Sequence, residues 1–189
     1  MRRRHRRYAF LALIASMTLA LVASTGRAAV DQDLAASERS VKAAYLYKFL
    51  GYVEWPASAF ASPDAPITIG IMGAEDVAAE LGAIVASRTI DNRPVVVRRL
   101  REGESLAGVH VVFVGRGDAG RVRELARSAR DRGVLVVTES TGALDVGSMI
   151  NFVVDEGRVR FEIAPSNAER AGVKLSSRLL AVAQAVRTP

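Results

Sequence analysis

Two features of the sequence have residue types and spacing that suit chemistry. Gly115-Arg116-Gly117-Asp118-Ala119-Gly120 follows the pattern G-x-G-x-x-G directly after an apolar run, and Glu139 closes the next such run. In a dinucleotide-binding turn, these glycines let backbone amides approach a pyrophosphate at a helix N-terminus, and the acid accepts from a ribose hydroxyl. The second feature is His110, inside the apolar run Val109–Val114, where a satisfied strand-end histidine outweighs a general base or ligand. Other chemistry is thin. There is no cysteine, no G-x-S-x-G elbow and no pair of metal ligands at i and i+4. Asp155 and Glu156 are adjacent, so their side chains diverge and read as solvated turn residues. Too little chain follows Glu139 to build a substrate domain. The Gly115–Gly120 segment therefore reads first as a tight βα turn, with Gly115 and Gly117 supplying positive φ and Gly120 close helix–sheet packing. No catalytic, cofactor-binding or metal-binding residue is expected; a small-molecule or nucleotide site at this turn is the alternative.

The chain ends restrict the setting. Arg2, Arg3, Arg4, Arg6 and Arg7 precede an apolar stretch from Phe10 to Ala23, and small residues surround Arg27. That is the pattern of a signal peptide over residues 1–28, too short in its apolar part to span a bilayer. Removing it takes six arginines and no acid, which brings the formal charge from +6 to zero. A nucleic-acid partner is not expected from so balanced a chain. The roughly 160 residues that remain suffice for one core held by packing alone.

The elements that would carry these residues follow from periodicity. Residues 29–36 read as a linker without pattern, and the domain as residues 37–187. Val41, Tyr45, Phe49 and Tyr52 fall on one helical stripe and Leu46, Leu50 and Val53 on the next, predicting a helix with a broad apolar surface that stops at Trp55-Pro56. That surface is compatible with a homodimer. Strands are expected at Ile67–Met72, Pro94–Arg98, Val109–Val114 and Val134–Thr138, with helices over Glu75–Ser87 and Ala119–Arg130, the alternation of a mostly parallel sheet. Ser148–Val154 and Arg158–Ala164 predict an antiparallel hairpin with Ile150, Phe152 and Val154 on its core face. Ser166 to Glu169 reads as a capping box, and a last helix from Ser176 to Val186 would bury Leu175, Leu179, Val182 and Val186. The fold class is α/β, a single domain with helices flanking the sheet and a C-terminal hairpin.

Two stretches resemble the YfiR family: "VKAAYLYKFLGYVEWP" at Val41–Pro56 and "GSMINFVVDEGRVRFEIAPSNAERAGVKLSSRLLAVA" at Gly147–Ala183. "DNRPVVVRRL", within Arg88–Leu100, is similar to the family's middle strand. Ser148 stands where many members have a second glycine, and the cysteines of some members are missing. The resemblance implies a periplasmic, non-catalytic repressor. Its partner would be the periplasmic domain of an inner-membrane diguanylate cyclase, with the membrane reached only through that partner and cyclic di-GMP lowered. Some relatives resemble sensor modules for membrane kinases, a further alternative. By period two, Asn151, Arg160 and Glu162 share the hairpin's polar face, and Lys174 and Arg178 follow near the last helix. These five are the expected partner contacts; the competing reading is a cross-strand ion pair and ordinary solvated charges.

Overall fold

Uninterrupted apolar runs become the inner strands of a sheet, because a strand covered on both faces has no solvent side to alternate toward. The computed structural model describes residues 32–188. The expected signal peptide lies outside the described residues. The chain divides into two units, Met1–Glu38 and Arg39–Pro189. Of the first, residues 32–38 are described and are helical. The patternless linker expected over 29–36 is corrected there: Leu34, Ala35 and Ala36 are good helix formers, and no glycine or proline interrupts them.

The second unit opens with α1, helical over residues 39–49, a 3-10 turn at Leu50–Tyr52 and the short strand β1, Val53–Glu54. There follow β2 (Ile67–Met72), α2 (Glu75–Val85), β3 (Thr89–Ile90), β4 (Arg93–Arg99), β5 (Val111–Val114), α3 (Val122–Arg130) and β6 (Leu135–Thr138). The chain ends with β7 (Ile150–Asp155), β8 (Arg158–Ile163), α4 (Pro165–Arg170), β9 (Lys174–Leu175), α5 (Ser177–Ala181) and β10 (Ala185–Val186). One eight-stranded sheet has the order β10-β8-β7-β6-β5-β2-β4-β3, and β1 pairs with β9 apart from it. Strands β4, β2, β5, β6 and β7 run parallel. The fold is the α/β arrangement expected, with β7 and β8 as its antiparallel hairpin.

Core packing joins the ends of the sequence. Every residue of β5 and β6 is buried. α2 buries Val77, Ala78, Leu81 and Val85, and α3 buries Val122, Leu125, Ala126 and Ala129, each one stripe of a helix. Tyr45 and Phe49 of α1 lie on the hairpin: Phe49 is 5.8 Å from Phe152 and 5.1 Å from Phe161, ring centre to ring centre, and Tyr45 is 5.4 Å from Phe161. Such contacts add about 0.5–1.5 kcal/mol each to the area they bury. The apolar surface of α1 that suggested a homodimer is thus largely spent inside the molecule, with Val41 and Tyr52 left exposed.

Several local expectations are corrected. The first helix ends before Trp55, because β1 takes an extended path to pair with β9, and Pro56 continues it at ψ 148°. Ser166 caps nothing: Pro165 takes the first helical position and Ala164 the cap. The last helix stops at Ala181, after which Gln184 and Arg187 donate their amides to Phe161 and Ile163 on β8. The sheet edge captures the chain, so Val182 and Val186 are 68% and 42% exposed instead of buried. Val154 is exposed as well, beyond the reach of α1 at the hairpin tip.

Candidate functional site

The glycine-rich turn has a structural occupation. Gly115 is extended at φ −72°, and a Cβ there would stand 2.2 Å from the Gly73 carbonyl oxygen. Neither Gly115 nor Gly117 has positive φ, and a Cβ on Gly120 would meet nothing within 4 Å. The roles expected for these glycines are corrected: Gly115 is needed for close approach of the β2 and β5 ends, and the other two are not sterically required. Three of the turn's amides are already engaged. Gly115 donates to Met72 O at 2.8 Å, Asp118 to Gly115 O at 3.1 Å, and Arg116 to the Glu139 carboxylate at 3.1 Å. The acid that would have held a ribose instead accepts from the turn itself.

Glu139 has a second partner, Lys42 of α1. The two side chains are 5% and 9% exposed. Lys42 sits one and two turns before Leu46 and Phe49 on the buried face of α1, and its ammonium emerges at the C-terminal end of β6. A lone lysine on an apolar stripe was the available signal for this pair, and the sequence reading passed over it.

Beside Glu139 lies a groove of about 440 Å³ lined by Arg116, Glu139, Ser140, Thr141, Asn151, Glu162 and Arg187, among others. Asn151 and Glu162 are register partners across the hairpin. Asn151 is only 4% exposed, because β6 lies beside it: its Oδ1 accepts from Thr138 Oγ1 at 2.7 Å and from the Ser140 amide at 3.0 Å. Its place on an outward polar face is corrected accordingly. Glu162 is held by Arg187 through two contacts of 3.3 and 3.2 Å; the expected cross-strand ion pair is therefore replaced by a pair with the residue that follows β10, and Arg160 lies two residues away on the same strand. Arg160 is exposed on β8. Lys174 and Arg178 are exposed on β9 and α5, and neither lines the groove. The structure brings Asn151 and Glu162 together and leaves Arg160, Lys174 and Arg178 on the outside.

His110 is a buried structural group. Its Nδ1 accepts from the Thr68 amide at 3.1 Å, its Nε2 donates to Ala59 O at 3.1 Å, and Phe60 stacks on it at 4.4 Å. Burial holds its pKa below the ordinary histidine value; the bond to Ala59 opposes this, and the Arg93 charge adds to it. Trp55 donates from Nε1 to His110 O at 3.1 Å, so the Trp-Pro step is tied to the start of β5. Ser148, the family's glycine position, is fully buried with its hydroxyl 2.8 Å from Ile150 O and from Thr138 Oγ1. Among the described residues no group of three histidines or acids could hold a metal ion, and no helix is long and apolar enough to cross a membrane.

No curated protein matches the chain. Two solved structures share part of the fold. One is a conserved domain protein from Vibrio cholerae, at 13% identity and TM-score 0.48, over 64% of this chain and 54% of that one. The other is an ABC domain in complex with L-Trp from Streptococcus pneumoniae, at 13% identity and TM-score 0.49, over 64% and 55%. The chain thus spans about half the length of each, and these likenesses carry no argument about function. The YfiR/HmsC-like family model, in contrast, matches residues 39–184. That span contains α1, the whole sheet but for the last strand, and the groove apart from Arg187. The chain belongs to the YfiR/HmsC-like family.

Proposed function

We propose that the domain is a non-catalytic repressor, exported to the periplasm, that binds the periplasmic part of an inner-membrane diguanylate cyclase and lowers cyclic di-GMP. The observation that carries this reading is the family match over residues 39–184. Two features of the site support it: both ring nitrogens of His110 are used within the fold, and Glu139 is held by Lys42 and the Arg116 amide. The partner surface is assigned to the exposed charges Arg160, Lys174 and Arg178, with Glu162 at its inner margin. Asn151 drops out of that surface because it is buried.

The test is direct binding between the exported chain and the purified periplasmic domain of an inner-membrane diguanylate cyclase from the same organism. Wild-type protein is expected to bind, and alanine at Arg160, Lys174 and Arg178 to weaken binding with an unchanged melting temperature. These side chains are exposed, and exposed charges contribute under about 1 kcal/mol to folding. No binding by the wild type would end the proposal. Binding unaffected by all three substitutions would remove the surface assignment.

A further inference from the structure

We propose that the outer flank of α3 docks on an anionic phospholipid surface through Arg123, Arg127 and Arg130. Their spacing, i, i+4 and i+7, sets them within an arc of about 60° along roughly 10 Å of helix. All three are exposed, and among the described residues none of their side chains has an ion-pair or hydrogen-bond partner. Acids stand at pairing distance in the sequence, Glu124 three residues before Arg127 and Asp131 four after it, yet neither pairs with it. The neighbouring arginines are used inside the fold: Arg121 pairs with Asp118 and Glu102, and Arg132 donates to Ser128 O. Like charges four residues apart on a helix, such as Arg123 and Arg127, lower its stability, so folding does not account for the row. A partner that brings anions to it does.

What the flank lacks selects a lipid surface over a protein. Protein interfaces close around an apolar or aromatic centre from which charges are depleted. Val122 and Leu125, the large apolar residues of α3, are buried, and none of the exposed large apolar side chains among the described residues lies on this helix. A phospholipid surface needs no such centre. Its phosphodiester oxygens accept from a planar guanidinium group two at a time, and the attraction grows with each arginine near the surface. Because the apolar face of α3 is buried in the core, the helix lies against the headgroups without entering the acyl region. The contact is therefore weak by itself and sensitive to salt. It takes export from the proposed function and nothing of the cyclase, and it departs from the expectation that the membrane is reached only through the partner.

The exported chain is purified from the periplasm, free of the basic residues 1–28, and sedimented at low salt with vesicles of phosphatidylglycerol and phosphatidylcholine or of phosphatidylcholine alone. Wild-type protein is expected to bind the phosphatidylglycerol vesicles, to ignore the neutral ones and to be released by salt. The triple variant Arg123→Gln/Arg127→Gln/Arg130→Gln should partition about tenfold less or weaker still, at an unchanged melting temperature. A charge-matched variant, Lys48→Gln/Arg101→Gln/Arg158→Gln, alters three exposed cations on other elements and should bind as the wild type does. The proposal is overturned if the wild type does not bind phosphatidylglycerol, if it binds the neutral vesicles equally, or if the charge-matched variant loses as much as the triple one. It is also overturned if the triple variant keeps vesicle binding but loses the cyclase domain, which would make the flank a protein contact. Loss of vesicle binding with cyclase binding intact supports the proposal, and a chain that binds vesicles but no cyclase fails the proposed function alone.

Discussion

His110 is the residue at which solution conditions act most directly on this fold. A neutral ring satisfies both of its contacts, whereas a protonated ring must give up the hydrogen bond from the Thr68 amide. Its pKa in the folded chain lies below the unfolded value, so between the two the unfolded state binds more protons and stability rises with pH. The contribution is therefore complete above about pH 6.5, the unfolded histidine value, and is lost as the pH falls below it. Urea midpoints measured from pH 7.5 down to the folded pKa should decline, and His110→Asn should flatten that decline; an equal slope in the variant would remove His110 as its cause. Trp55 hangs on the same histidine, but it is half-buried, so Trp55→Ala should cost about 2–3 kcal/mol, below the range for a fully buried aromatic. Chemical denaturation checks this, and a loss of repression without loss of stability would move Trp55 to an interface. Lys42 and Glu139 present a different balance. Removing one member of a buried ion pair strands the other, at about 3 kcal/mol or more, whereas replacing both with neutral groups is close to neutral. Lys42→Met should therefore be far less stable than the double variant Lys42→Met/Glu139→Gln. Equal stabilities in urea would show that Arg116, through its amide and guanidinium, is enough to satisfy Glu139.

Among the elements, the β7–β8 hairpin organises the rest, since α1 packs on one of its faces and β10 on its edge. Its turn is two residues long, Glu156 at φ 47° and Gly157 at φ 72°, the type I′ geometry whose twist matches the strands. Gly157→Ala should cost about 1–2 kcal/mol, because the left-handed conformation crowds a Cβ against the carbonyl. A wild-type urea midpoint would mean that the turn relaxes to another form. The hairpin was legible in the sequence because alternation, a short polar break and glycine agree. So were β2, β4, β5 and β6, whose apolar runs have no other economical reading in an α/β chain. What escaped was decided between elements. Asn151 falls on the polar face by period two, yet which strand lies beside it is a matter of topology, and β6 buries it. Val182 and Val186 continue the helical spacing of the buried Leu179, yet the open edge of β8 offers backbone hydrogen bonds that a helix end cannot, and the chain after Ala181 goes there. Short apolar segments are ambiguous for this reason. The groove was half legible: Asn151 and Glu162 were singled out, but as outward contacts, and Glu139 as a ribose acceptor, while the lysine on the apolar stripe of α1 was the only sign of its pair and Ser140 and Arg187 had no local pattern to mark them. The two stretches that resemble the family turn out to be one structural unit, with Tyr45 and Phe49 on Phe152 and Phe161, and β1 on β9.

For the whole molecule, the proposed role as a binding repressor has one consequence: its effect must pass entirely through its partner. A protein that only binds can silence a cyclase in one way: by preferring the inactive conformation to the active one. Carrying that equilibrium from almost wholly active to almost wholly inactive takes about 5.5 kcal/mol of differential affinity. In the proposed interface the exposed charges Arg160, Lys174 and Arg178 are carried by β8, β9 and α5. Deleting the gene should then raise cellular cyclic di-GMP and biofilm formation. The rise should vanish in a strain that also lacks the cyclase, because the proposed repressor acts only through it. A plasmid copy carrying alanine at Arg160, Lys174 and Arg178 should fail to restore repression while reaching wild-type periplasmic abundance. Cyclic di-GMP measured in the single deletion, the double deletion and the complemented strains decides the matter. An elevation that persists without any cyclase bearing a periplasmic domain would mean that the chain acts on a different receiver, and no elevation in the single deletion would mean that it does not repress.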